Sequence, residues 1–239
     1  KGHVMSKLAF IFPGQGAQKT GMGKDFYENS EAARSFFDQA QKILDFDLKE
    51  MCFGEHEELN LTEYTQPCMV SVCLAIVQEL KKRGINPDIT AGLSLGEYAA
   101  VAAADGMNEL DAIKLVRRRG ILMQSTVPAG EGAMAAVLGL DAKKIEEILE
   151  SFENVWIANY NCPGQIVITG LTNEVQQASL ALKEAGAKRV VELKVGGPFH
   201  SLLLKPAGEA LLKEMESMSF STLQVPYVAN ATAEIVTDS

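Results

Sequence analysis

Apolar and polar residues along the chain follow two periods, and the change from one to the other marks the predicted elements. KLAFIFPGQG begins with an apolar run, which predicts a buried strand entering a glycine-rich turn. A helical period runs from about Ser30 to Leu44. From Gln66 to Lys82 the segment is apolar nearly all round until its charged end, which predicts a buried helix stopped by Gly84. DITAGLS predicts a second short strand, and GEYAAVAAADG a helix of small residues. NELDAIKLVRRRGILMQS predicts a further helix with Asn108 as its N-cap. Strands alternating with helices in this way predict an α/β fold with a parallel sheet.

The pattern changes after Val127-Pro128-Ala129-Gly130. GAMAAVLGL predicts a strand, and DAKKIEEILESF a helix capped by Asp141. NVWIANYN and GQIVITG predict two strands joined through Pro163-Gly164. TNEVQQASLALKEAG predicts a helix stopped by Gly186, and AKRVVELK a last strand. The order β-α-β-β-α-β is that of a ferredoxin-like unit. It closes near Lys194, and Val195-Gly196-Gly197-Pro198 reads as a return linker. The expected organisation is a core formed by residues 5–129 and 196–239, with a ferredoxin-like subdomain inserted over 130–195. Residues 1–4 precede Met5 and read as an appended leader outside the fold.

Composition narrows the classes. Hydrophobic residues make up 47% of 239, enough for a real core. A net charge of −9 argues against a nucleic-acid-binding surface. No apolar run is long enough to cross a bilayer, so no membrane partner is expected. Cys52, Cys68, Cys73 and Cys162 form no C-x-x-C pair and no metal-ligand spacing. They read as reduced thiols of a cytoplasmic protein with no bound metal. Nothing in the pattern demands more than a monomer.

The candidate chemistry centres on Gly92-Leu93-Ser94-Leu95-Gly96, a G-x-S-x-G pattern between a predicted strand and a predicted helix. A serine on such a turn is held out from the sheet, and the N–H of Leu95 is placed to stabilise an oxyanion. The glycines are expected because a side chain there would clash. Ser94 needs a base. His3 lies in the leader, and His56 sits in the polar stretch GEHEELN. His200, in VGGPFHSLLL, is therefore the candidate, with a structural histidine at a helix head as the alternative.

Projected at about 100° per residue, Ala112, Leu115, Val116, Leu122 and Met123 share one helix face. Arg117 and Arg118 fall to either side of it, and Arg119 points near its middle. A buried arginine must be paired. Its partner is either an internal carboxylate or a substrate carboxylate held by the guanidinium fork. FPGQGAQKTGMG is neither G-x-G-x-x-G nor a P-loop. It reads as a turn whose backbone closes on the reacting carbonyl, with Gln15 in the oxyanion hole.

Taken together, FPGQGAQ, TQPCM, AGLSLGEY, RRRGILMQ, NYNCPGQIVITG and GGPFHS resemble the bacterial malonyl-CoA:acyl carrier protein transacylases of type II fatty acid synthesis. The resemblance runs in the family's order from about Lys7 onward. It implies an α/β-hydrolase-like core with a ferredoxin-like insert. It implies Ser94 as the acylated nucleophile, His200 as base, Arg119 on the malonyl carboxylate, and Gln15 with the Leu95 N–H at the oxyanion. Phe199 resembles the malonyl-selective form of its motif, and Gln66 and Met123 fall in motifs assigned to substrate binding. The implied partners are malonyl-CoA and acyl carrier protein. No cofactor is implied, since the coenzyme A thioester is a substrate. Family members continue past ANATAEIVTDS, so the resemblance also implies further core helices and a main-chain carbonyl that orients His200.

The competing reading is a Ser–His esterase or thioesterase. α/β-Hydrolases place the triad acid between serine and histidine in chain order. The aspartates in that interval are Asp105, Asp111 and Asp141, and none is expected after a core strand. Docking of an acidic carrier onto this acidic chain needs a local basic patch. Arg117, Arg118, Lys188, Arg189 and Lys194 are the candidates.

Overall fold

The computed structural model describes residues 6–128 and 130–238. The expected appended stretch 1–4 with His3, and the boundary positions Met5, Ala129 and Ser239, lie outside the described residues. In chain order the elements are β1 (Ala9–Phe12), α1 (Lys24–Asn29), α2 (Glu31–Ile43), α3 (Leu48–Phe53), α4 (Thr62–Lys82), β2 (Ile89–Gly92), α5 (Leu95–Ala103) and α6 (Glu109–Thr126). Then follow β3 (Gly132–Leu138), α7 (Ala142–Leu149), β4 (Val155–Cys162), β5 (Gln165–Leu171), α8 (Thr172–Glu184), β6 (Arg189–Glu192), α9 (Lys205–Glu216), β7 (Tyr227–Val228) and β8 (Ile235–Val236). Two compact units result, one running to Gly120 and resuming at Lys213, the other Ile121–Leu212.

In the first unit the sheet order is β1-β2-β7-β8. The first three strands are parallel and β8 turns back antiparallel on β7. β1 is not the buried strand that its apolar run predicts. Phe10 and Phe12 enter the helical core with Phe37, Leu74 and Ala99, while Ile11 is 77% exposed. The strand lies at the sheet edge and its side chains alternate between two faces, so one face alone is covered by helices.

Among the described residues four helices are capped by short polar side chains, one of them α3, where Asp47 Oδ1 accepts the Glu50 N–H. Ser30 Oγ accepts the Ala33 N–H at the start of α2. Asn108 Oδ1 accepts the N–H groups of Leu110 and Asp111 ahead of α6. Asp141 accepts from Lys143 ahead of α7.

α4 starts at Thr62, four residues before its predicted beginning at Gln66, and so encloses Pro67. A proline inside a helix leaves the carbonyl four residues earlier without its intrahelical donor. That carbonyl belongs to Glu63, and Arg117 Nη1 donates to it at 2.7 Å. The same guanidinium pairs with Glu63 Oε2 at 3.0 Å and with Asp45 at 2.9 Å, and lies over the rings of Phe46 and Tyr64. One helical turn later α6 carries Gly120, where a Cβ would stand 2.7 Å from the Thr62 carbonyl oxygen. Arg117 and Gly120 therefore let α6 cross the first turn of α4 at close range.

In the second unit the sheet order is β4-β5-β3-β6, antiparallel throughout. The two-residue period of β3 splits its side chains. Ala133, Ala135 and Val137 pack under α7 and α8 with Ile145, Val175 and Leu182. Met134 and Ala136 pack on the other face with Met123, Val127, Phe199 and Leu204. That second cluster explains why the unit extends beyond residues 130–195 in both directions. The end of α6 and the segment after β6 complete its second face.

Replacing Arg117 with Met is expected to cost about 1–3 kcal/mol, since it leaves the part-buried Glu63 carbonyl and carboxylate without their donor. In a Pro67→Ala background the Glu63 carbonyl regains a helical donor, so the cost should fall by about 1 kcal/mol. Urea denaturation of the four proteins of this cycle checks both values.

Candidate active site

β2 ends at Gly92 and α5 begins at Leu95, leaving two residues for the reversal. Ser94 takes φ 50°, ψ −104°, a conformation costly for any residue with a Cβ. The flanking glycines are fixed by contact rather than by flexibility. A Cβ on Gly92 would stand 2.0 Å from the Gly96 carbonyl carbon, and one on Gly96 would stand 2.3 Å from the Phe12 carbonyl oxygen. The start of α5 thus rests directly on the backbone of β1 and β2. Leu95, 1% exposed, anchors the helix in the core. As the first helical residue, its N–H has no acceptor within α5.

Arg119 comes to this turn from α6. Its Nη2 donates to Ser94 Oγ at 3.2 Å. Its guanidinium carbon lies 5.4 Å from the centre of the Tyr98 ring, within cation–π range. Burial lowers the Arg119 pKa from its ordinary value, against the opposing pull of Tyr98 and Glu97. Burial also raises the Tyr98 phenol. Among the described residues no Asp or Glu forms an ion pair with Arg119, whereas Arg117, two positions earlier, has two. Arg117 takes the carboxylates of Asp45 and Glu63, and Arg119 faces the serine.

The turn after β1 packs against the same reversal. Leu93 N–H donates to the Phe12 carbonyl, and a Cβ on Gly14 would stand 2.9 Å from the Leu93 carbonyl oxygen. Gln15 follows, its Nε2 donating to Thr62 Oγ1 at 3.1 Å and its Oε1 accepting from Gln66 Nε2 at 3.5 Å. Gln66 is fully buried. Ser94, Leu95 and Arg119 therefore meet in the first unit, and Gln15 and Gln66 meet there at the head of α4.

The second unit carries the other three predicted residues. Phe199 and Met123 are buried in one cluster on the second face of its sheet. His200 follows Phe199 in a turn, exposed, with φ 59°. Ser201 Oγ donates to the Pro198 carbonyl at 2.6 Å and braces that turn. An anchored aromatic followed by a left-handed residue is a rigid way to present an imidazole.

Arg117 is removed from the basic docking candidates, because its side chain is 12% exposed and its donors are used by Asp45 and Glu63. Arg118 is exposed and pairs with Glu214 at 3.0 Å. Lys188, Arg189 and Lys194 are exposed on the second unit. The three aspartates between Ser94 and His200 are each engaged elsewhere. Asp105 pairs with Lys81, Asp111 with Lys114, and Asp141 caps α7.

Three residues at the site escape sequence reasoning. Tyr98 and Glu97 directly follow Gly96 in the first turn of α5, which is the one signal available for them. Asn230 lies 136 positions from Ser94, yet its Oδ1 accepts the Ser94 N–H at 2.8 Å. Its own backbone N–H donates to Glu97 Oε1 at 2.8 Å.

Residues 9–237 match the acyl transferase domain family. A malonyl CoA-acyl carrier protein transacylase of Bacillus subtilis is 46% identical over 239 residues, covering 98% of this chain and 75% of that protein. The solved structure of an acyl carrier protein S-malonyltransferase from Vibrio cholerae is similar with a TM-score of 0.93 at 39% identity, over 98% of this chain and 78% of the other. A malonyl-transacylase solved in complex with its type II PKS acyl-carrier protein gives a TM-score of 0.93 at 38% identity, over 98% and 77% of the two chains.

The Ser94 conformation yields a stability test. Glycine tolerates positive φ and alanine does not, so Ser94→Gly should be more stable than Ser94→Ala by about 1 kcal/mol. At an ordinary helical position the order would be reversed. Thermal denaturation of the pair reads the sign.

Proposed function

Because the chain belongs to the acyl transferase family, we propose that it moves a malonyl group from malonyl-CoA to the phosphopantetheine thiol of acyl carrier protein, in fatty acid biosynthesis. The observation that carries the reading is the part-buried Arg119 donating to Ser94 Oγ, with no ion-paired carboxylate among the described residues. The names of the relatives support the same substrate and acceptor. The fold on which this rests is an α/β-hydrolase-like core interrupted by a ferredoxin-like βαββαβ subdomain. The four-stranded antiparallel order of the second unit supports the latter.

The reaction runs in two halves. His200 takes the Ser94 Oγ proton while Oγ attacks the thioester carbonyl. The oxyanion is held by the Leu95 N–H and the Gln15 amide. The C–S bond breaks, and the coenzyme A thiolate receives the proton from His200. The carrier thiol then gives its proton to His200 and attacks the malonyl-serine ester. Its carbonyl collapses to the new thioester, and Ser94 Oγ recovers the proton. Ping-pong kinetics follow. Phe199, Met123 and Gln66 line the acyl pocket in this reading. The coenzyme A thioester is a substrate and no cofactor takes part. The protein acts as a cytoplasmic monomer.

The esterase reading is weaker, because Asp105, Asp111 and Asp141 are all committed to other partners. A malonyl carboxylate pairs with Arg119, whereas an acetyl group leaves the guanidinium buried without its anion, and such a penalty exceeds the loss of an apolar contact. Arg119→Ala should therefore lower kcat/KM for malonyl transfer by about a hundredfold or more and bring the malonyl-to-acetyl ratio near unity. Competition between the two thioesters for transfer to carrier protein measures it. A mutant that kept wild-type selectivity would remove Arg119 from the carboxylate.

A further inference from the structure

A serine at φ 50° persists only where its surroundings over-determine it. Part of that constraint is steric and comes from the two glycines. The rest is a closed set of hydrogen bonds. Ser94 N–H donates to Asn230 Oδ1 at 2.8 Å, Asn230 N–H donates to Glu97 Oε1 at 2.8 Å, and Glu97 N–H donates to the Ser94 carbonyl at 3.1 Å. The cycle returns to the residue where it began.

Its origin is the strand register. β2 and β7 run parallel and pair Thr90 with Tyr227 and Ala91 with Val228. Two residues past the end of β7 stands Asn230, and two past the end of β2 stands Ser94. The ladder has stopped there, and Ser94 precedes the helix, so its N–H has neither a strand partner nor a helical one. The Asn230 side chain supplies that acceptor. Glu97, in the first turn of α5, holds Asn230 by its backbone and so fixes the strand end to the helix start.

We propose that Asn230 is a positioning residue for the nucleophile, anchored by Glu97. It touches no reacting atom. By fixing the Ser94 peptide it sets the direction of Oγ and of the next N–H, that of Leu95, together. Both must be aligned on one carbonyl, and a small misplacement of such groups is costly in rate. Arg119 reaches the acyl group from α6, so in the Asn230 variants substrate affinity and turnover should part company; Glu97 also acts on Arg119, so its variants are judged by the fluorophosphonate rate. The inference rests on Ser94 being the nucleophile of the proposed reaction.

The test uses Asn230→Ala, Asn230→Asp, Glu97→Ala and Glu97→Gln in the full chain. Two readouts are taken, the kcat and KM for malonyl transfer and the labelling rate of Ser94 by a small alkyl fluorophosphonate, which carries no carboxylate. Asn230→Ala should lower kcat and the fluorophosphonate rate by about ten- to a hundredfold, with KM for malonyl-CoA near the wild-type value. Asn230→Asp keeps the acceptor and should recover most of the fluorophosphonate rate. Glu97→Ala leaves the acceptor unanchored and should lose rate in the same direction, with Glu97→Gln regaining it, which keeps the test alive if Asn230→Ala does not fold. Wild-type rates in both alanine variants would overturn the proposal, as would a loss confined to KM. Wild type that reacted with the fluorophosphonate and not with malonyl-CoA would overturn the transfer reading instead, while the fluorophosphonate series still judged the role of Asn230.

Discussion

The backbone contact between Gly96 and the Phe12 carbonyl is the constraint on which the site depends. A Cβ at Gly96 would reach within 2.3 Å of that oxygen, so the start of α5 lies on β1 with no side chain between them. The approach forces the reversal from β2 into two residues and drives Ser94 to positive φ. It also places the first helical N–H, that of Leu95, beside the serine hydroxyl. The proposed nucleophile and oxyanion donor are thus placed by one packing event, and the hydrogen bonds that Asn230 and Glu97 make secure a geometry that the glycines make possible.

α6 divides its work between two neighbouring arginines. Arg117 is a structural cation, satisfied by Asp45, Glu63, two aromatic rings and the carbonyl that Pro67 leaves without a donor. Arg119 is turned to the other side and meets Tyr98 and Ser94. The first pays for the helix crossing that sets the second in place. Among the described residues no carboxylate forms an ion pair with Arg119, although Glu97 acts on it at longer range, and this is what the proposed binding of an anionic acyl group requires.

Much of this was legible in the chain. Helical and strand periods located most of the elements, because amphipathic faces record which side meets the core. The helix face correctly set Arg119 apart from Arg118, but it left Arg117 as a surface residue, since a projection does not reveal Asp45, 72 positions away. The start of α4 was misplaced because Pro67 reads as a helix boundary unless its stranded carbonyl finds an outside donor. β1 looked buried because four apolar residues do not show which face of an edge strand is covered. Asn230 had no local signal, since its role comes from the parallel register of β2 and β7, a long-range pairing that no window of sequence contains.

In the proposed reaction Ser94 carries a malonyl group between two thiols. Intact mass after brief mixing with malonyl-CoA or acetyl-CoA, on wild type and Ser94→Ala, tests it most directly. The expected result is a malonyl adduct on wild type alone, little acetyl adduct, and discharge on adding carrier protein. An adduct cleared by water as fast as by the carrier, or one that survived Ser94→Ala, would contradict it.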